Sequence, residues 1–205
     1  MARVRHIQKA QASTKTRRCR ACGHEIQPGE PYKYVDKKTG PRSGHRLIWC
    51  QEHSPKPSDL ASGRTADLMV MVEGFDATLT VTREIKDNRE RMEALSGDLD
   101  GFIEEIEGFA QEIRDGAESI EDGFGHPTSQ SEAMSETADA FDEWAEGVRQ
   151  AQSEIDSRIS NADEDEDEEG NYEEGEGPIS DDEADDLFGQ AEEALNQEPD
   201  LNLQG

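Results

Sequence analysis

Cys19 and Cys22 are two residues apart, Cys50 and His53 are two residues apart, and the twenty-seven residues from Gly23 to Trp49 separate the two pairs. Nothing else limits the fold of this chain so tightly. Two-residue spacing lets a tight turn aim both side chains at one point. Two such corners together supply thiolate and imidazole donors, the set that tetrahedral zinc prefers. Gly23 follows the first pair, where a knuckle calls for positive φ. The expectation is one structural Zn2+ held by Cys19, Cys22, Cys50 and His53. His24 and His45 are alternatives for the fourth position, but His24 abuts a ligand and His45 opens a strand-like run. A redox C-x-x-C would want a βαβ setting, which the flanking sequence lacks. A region of about fifty residues is too small to be held by burial alone, so a metal would supply much of its folding energy.

Composition decides what the rest of the chain can do. Only 32% of the 205 residues are hydrophobic and 5% aromatic, and the net charge is −28, which argues against one large core. Three cysteines cannot close a set of internal disulfides, and a reducing, cytoplasmic setting is expected. No run of eighteen apolar residues appears, so no membrane-spanning helix is expected. The opening "MARVRHIQKAQASTKTRR" has no apolar stretch of the secretory kind. Charge is segregated. Residues 1–58 hold thirteen Lys/Arg against four Asp/Glu, residues 59–162 eight against twenty-six, and residues 163–205 none against nineteen. A basic head, an acidic middle and an acidic tail are three different physical objects.

Between the corners, "PYKYV" and "HRLIW" have strand-like content and are joined by "DKKTGPRSG", while "IQPGEPY" supplies a Pro-Gly turn before the first strand. Knuckle, hairpin and second corner make the layout of a zinc ribbon or treble clef. Cys19, Cys22, the "I-x-x-G-E-x-Y" run from Ile26 to Tyr32, Cys50 and the following "PKPSDL" resemble small zinc-binding domains encoded by bacteriophages, over residues 17–62. That resemblance implies Cys19, Cys22, Cys50 and His53 as ligands and a phage accessory or regulatory role. The spacing is also similar to the zinc fingers of DNA-break sensors, whose second corner reads H-x2-C where this chain reads C-x2-H.

Arg3, Arg5, Lys15, Arg17, Arg18 and Arg20 lead into the knuckle, and Lys37, Lys38, Arg42 and Arg46 decorate the hairpin. A basic arm beside a small zinc module fits phosphates, so these ten residues are the candidate nucleic-acid contacts. The rival partner is the chain's own acidic tail. Tyr32, Tyr34 and Trp49 have the chemistry to stack on bases, but so small a core has few other candidates, and covering it is their expected job.

From Ser58, read as an N-cap, the sequence turns helical. Ile85, Met92, Leu99, Ile106, Ile113 and Ile120 recur every seven residues, with Leu95, Phe102 and Phe109 in the second seam position. Such a stripe must be buried against another helix. Leu68, Val72, Phe75 and Leu79 continue it upstream out of phase, which predicts a stutter near residues 80–83 in one helix over 58–122. "DGFGHPTSQSE" then breaks the helix, with new caps at Thr128 to Ser131. Met134, Ala138, Phe141, Ala145, Val148, Ile155 and Ile159 form a second stripe interrupted only by Gln152. An antiparallel hairpin follows, with a homo-oligomeric coiled coil or another protein as the rival, because the first helix would be about twice as long as the second. In the tail, "NADEDEDEEGNYEEGEGP" cannot fold by burial, and "SDDEADDLFGQAEEAL" reads as a short helix that binds a groove or frays.

The expected molecule is a small α+β zinc-binding head followed by a long α-helical hairpin or coiled coil and a disordered acidic tail. Its parts are a basic flexible arm (1–16), the zinc-binding domain (17–57), the helices (58–160, as 58–122 and 130–160) and the tail (161–205, with a short helix at 181–196). No nucleophile with a spaced partner and no phosphate loop appears, so a non-enzymatic protein is expected. Nucleic-acid binding by the head comes first, assembly through the coiled coil second, and inhibition by DNA mimicry third.

Overall fold

A computed structural model describes residues 5–7, 16–36, 45–61, 63–163 and 178–199, for 5–7 the backbone alone. The chain divides between Gly74 and Phe75 into two compact units.

The first unit is built on two hairpins. β2 (Arg17–Arg18) and β3 (Glu25–Ile26) pair antiparallel, and the turn between them carries Cys19 and Cys22. β4 (Tyr32–Asp36) and β5 (Arg46–Cys50) pair antiparallel in a register that sets Tyr32 opposite Cys50 and Asp36 opposite Arg46. β1 (Arg5–Ile7) adds to the free edge of β4, so the sheet order is β1-β4-β5. The arm expected to be flexible therefore contributes a strand, because an open β4 edge offers unpaired backbone groups to any extended segment. Ile26, Tyr32, Tyr34, Val35, Trp49 and the two buried cysteines form the core, with Leu47, Ile48 and Leu60 packed against it. That is very little apolar surface.

A short α1 (Pro57–Leu60) starts at a proline, which suits the first helical turn. Ser58 is not its cap. Ser58 lies inside the turn, and its N–H and hydroxyl both donate to the Glu73 carboxylate, at 3.0 and 2.9 Å. Gly63, at φ +59, takes the left-handed conformation that ends this segment before α2 (Arg64–Thr82) begins.

The expected continuous helix over 58–122 is thus three helices. The second break falls at residues 83–87, just past the predicted stutter, and α3 runs Asn88–Phe124. Local chemistry explains it. Thr80 and Thr82 bond back to the carbonyls of Asp76 and Thr78, and Glu84 and Ile85 close tight three-residue turns onto Val81 and Thr82. Asp87 then accepts from the Glu90 N–H at 2.8 Å as a new N-cap. Ile85, the first member of the heptad, lies in the break and not in the seam helix.

α4 (Ser129–Asp163) begins at a reciprocal cap. The Thr128 N–H donates to Ser131 Oγ at 2.9 Å, and the Ser131 N–H to Thr128 Oγ1 at 3.1 Å. Gly125, at φ +75, closes α3 with its N–H on the Glu121 carbonyl. The two helices are of nearly equal length, 37 and 35 residues, so the expected mismatch disappears. They run antiparallel, as the bonds between them show. Asp156 accepts from Ser96, Gln152 donates to the Ser96 carbonyl, Arg149 pairs with Glu107, and Arg114 pairs with Asp139 and Asp142. Met92, Leu99, Ile106 and Ile113 of one stripe and Ala138, Phe141, Ala145, Val148 and Ile155 of the other are fully buried. The seam is closed within the chain. Phe75 extends it from α2, its ring 4.2 Å from Phe102 and 6.3 Å from Trp144.

Of the acidic tail, residues 178–199 are described and carry a helix; the stretch 164–177, expected to be disordered, lies outside the described residues. α5 (Asp181–Leu195) is capped by Ser180, whose Oγ accepts from the Glu183 N–H. It packs on α3 and α4 through Ala184, Phe188, Ala191 and Leu195. The Trp144 indole N–H reaches the Ala194 carbonyl at 3.0 Å, which meets two needs at once: a buried indole finds its acceptor and a helix-end carbonyl finds a donor.

Candidate metal centre

The knuckle is positioned by backbone bonds before any ligand is considered. The Cys19 N–H donates to the His24 carbonyl at 2.8 Å and the Gly23 N–H to the Cys19 carbonyl at 2.9 Å. Gly23 takes φ +73, the conformation its place in the sequence foretold. The Arg20 N–H then donates to the Ile48 carbonyl at 2.9 Å, lashing the knuckle to β5 two residues before Cys50. The second corner continues directly out of β5 into the turn that carries His53.

The ligand atoms of Cys19, Cys22, Cys50 and His53 all lie within 4.8 Å of one another. Cys22 and Cys50 place their sulfurs 4.0 Å apart, about twice the length of a disulfide bond. Cys50 Sγ and His53 Nδ1 are 3.1 Å apart. Cys19 and Cys50 are buried, His53 is half-buried and Cys22 is exposed. Three thiols and an imidazole converging on one point form a candidate metal site. The donor set suits a thiophilic ion, since thiolate and imidazole are the ligands soft and borderline metals select.

Its electrostatics favour an anionic sulfur. Burial alone would push the Cys19 thiol up, but the backbone N–H groups of Cys22, Cys50 and Ala21 and the Cys22 thiol bring it down to about 6. Cys22 behaves oppositely. The His24 backbone N–H favours its thiolate, yet desolvation and the neighbouring Cys19 and Cys50 sulfurs push it up. The two thiols are thus pushed in opposite directions, down at Cys19 and up at Cys22.

The alternative ligands stand aside. His24 is exposed, with Nε2 3.6 Å from Glu30 Oε2. His45 sits at the far end of β5, five residues from Cys50, which is roughly 16 Å along an extended strand.

The candidate nucleic-acid residues have mixed fates. Arg3, Lys15, Lys37, Lys38 and Arg42 lie outside the described residues, and Arg5 contributes backbone to β1. Arg18 pairs with Glu25 at 3.7 Å and Arg20 with Asp59 at 3.2 Å. Arg46 makes a two-pronged contact with Asp36, at 2.7 and 3.1 Å, and lies 4.0 Å over the Tyr34 ring. Asp36 holds the guanidinium charged and pushes its pKa up. Arg17 stacks 5.3 Å over Tyr32. Net charge does not reveal these pairs, because they depend on which residues the strand register sets opposite each other. Asp36 and Arg46 stand symmetrically about the hairpin, and that was the available signal. Tyr32, Tyr34 and Trp49 are buried in the head, serving its core as expected.

No family model matches this chain, and neither the curated proteins nor the solved structures give a match.

Proposed function

We propose that this is a non-enzymatic binding protein whose head is held by a structural zinc ion and binds nucleic acid electrostatically, carried on a helical bundle. The convergence of Cys19, Cys22, Cys50 and His53 is the observation that carries the reading. Ligand atoms at ~2.0–2.3 Å from a tetrahedral zinc are about 3.3–3.8 Å from one another. The separations of 3.1 and 4.0 Å bracket that range. Four protein ligands leave no open position, so such an ion would hold structure and activate no water.

Nucleic acid is suggested by the thirteen Lys/Arg against four Asp/Glu in residues 1–58. Arg18, Arg20 and Arg46 are committed to carboxylates, so the contacts fall to the basic segments 1–15 and 37–44, with Arg3, Arg5, Lys15, Lys37, Lys38 and Arg42. The buried aromatics are not offered to bases, so the binding in this reading is to phosphates, tolerant of sequence and steep in salt. Gel-shift titrations of the full chain on duplex and single-stranded DNA test it. With about six phosphate contacts, affinity should fall on the order of a thousandfold between 50 and 200 mM salt. Substituting Lys37, Lys38 and Arg42 by Ala should weaken binding. No shift at 50 mM salt contradicts the reading.

The internal arginine–carboxylate pairs favour a second reading, in which the head docks a protein and its charges are structural. The likeness of residues 17–62 to phage-encoded zinc domains would make either activity that of a phage accessory or regulatory factor acting in the host cytoplasm.

A further inference from the structure

Among the described residues, α5 is held by an unusual concentration of arginines. Arg83 pairs with Glu192 at 2.7 Å and lies 4.6 Å over the Phe188 ring. Arg91 pairs with Asp185 at 3.1 Å, and Arg158 makes a two-pronged contact with Glu183. Asn88 donates to the Ile179 carbonyl and to Asp181 at the helix entrance. Residues 59–162 contain only eight Lys/Arg, and three of them surround this one helix. The bundle thus presents a basic, apolar-floored groove, and α5 is an acidic amphipathic helix lying in it with Phe188 as its main anchor, 2% exposed.

Two features mark the fit as exchangeable. Arg91 is 9% exposed, yet its Nε and Nη2 have no partner under the resident helix. A buried guanidinium with one of three nitrogens engaged leaves capacity for a better-placed carboxylate. The segment joining α4 to α5, residues 164–177, holds nine Asp/Glu and no Lys/Arg. These like charges lead into an equally acidic helix, and the repulsion between them works against α5 in the groove.

We propose that this groove is a receptor for an acidic amphipathic helix of a partner protein, closed in cis by α5, which the partner helix displaces. The occupant is defined by chemistry: an apolar anchor at the Phe188 position, small residues one turn to either side, and carboxylates placed for Arg83, Arg91 and Arg158. Binding in trans competes with a tethered helix at an effective concentration on the order of a millimolar, so the groove responds only to a helix that fits better than α5 or arrives when α5 is released.

A fluorescein-labelled peptide spanning residues 178–199 is the probe. It is titrated into the full wild-type chain and into full-length Phe188→Asp, with circular dichroism to confirm that the bundle is folded. As a second route, a protease site placed within 164–177 is cut in an otherwise unchanged chain, and exchange of α5 for the peptide is followed. The Phe188→Asp chain should bind at least about tenfold more tightly than wild type, Arg91→Ala in that background should abolish binding, and the cut chain should exchange. An Asp185→Glu peptide, whose longer side chain reaches further toward Arg91, should bind more tightly than the parent. Equal binding by wild type and Phe188→Asp, or no exchange in the cut chain, overturns the proposal. Light scattering should show wild type and Phe188→Asp at the same mass, and a wild-type dimer that Phe188→Asp dissolves would make the occupant a second copy and equally overturn it.

Discussion

At the scale of single residues, the proposed zinc site makes the head depend on four side chains more than on its core. Ile26, Tyr32, Tyr34, Val35 and Trp49 are its main apolar content, too little to hold two hairpins against chain entropy. Cys50 should therefore be indispensable. Cys50→Ala is expected to abolish metal uptake and unfold the head while leaving the α3–α4 bundle intact, read as lost near-ultraviolet signal from Trp49 with helical ellipticity retained. Unchanged metal content in that variant would remove Cys50 from the site. This cluster was legible in the sequence because two-residue spacing is a local property. The pairing of Arg46 with Asp36 and of Arg20 with Asp59 was not. It depends on strand register and on where α1 turns back, and neither is fixed by neighbours in sequence.

At the scale of elements, the heptad was readable and its boundaries were not. Met92 to Ile113 lie in the seam as the period requires. Ile85 keeps the period by spacing alone, while the Asp87-x-x-Glu90 cap overrides it locally. That cap was visible in the sequence as an acid three residues before a glutamate. Gly97, Gly101 and Gly108 lie in α3 with open space where a Cβ would stand. Their replacement by Ala should stabilise the bundle by about 0.5–1 kcal/mol each, measured by urea denaturation, and destabilisation would mean those faces are covered.

Acid should loosen α5. The Arg158 guanidinium, helped by the Ser180 cap and opposed by partial burial, holds the Glu183 carboxyl below its usual value. A depressed carboxyl stabilises the fold fully above its unfolded pKa, about 4.5, and loses that contribution as pH falls through the lower folded value. Asp185 facing Arg91, Glu192 facing Arg83 and Asp181 facing Asn88 share the interface with this pair. The stability gap between wild type and Glu183→Gln should be present at pH 7 and close in that acid range. A gap independent of pH would show that the pair contributes nothing through charge.

For the molecule as a whole, the sequence showed two kinds of folding problem, and the chain divides into two units between Gly74 and Phe75. One unit buries few apolar side chains and gathers a cluster of donors that could hold a metal, whereas the other buries two long stripes against each other and covers them with α5. What sequence reading lacked was the tail's destination. A helix of alternating acid and apolar residues has no partner written into it, and only the clustering of Arg83, Arg91 and Arg158 supplies one. The two units should answer to different denaturants, the head to chelation and the bundle to urea. The most direct test is the metal content of the purified full chain, with thiol reactivity measured before and after chelation. One zinc per chain, with three cysteines protected until the chelator strips the ion and the Trp49 signal collapses, is the predicted result. A metal-free chain whose head stays folded, its cysteines equally reactive with and without chelator, would contradict the account at its foundation.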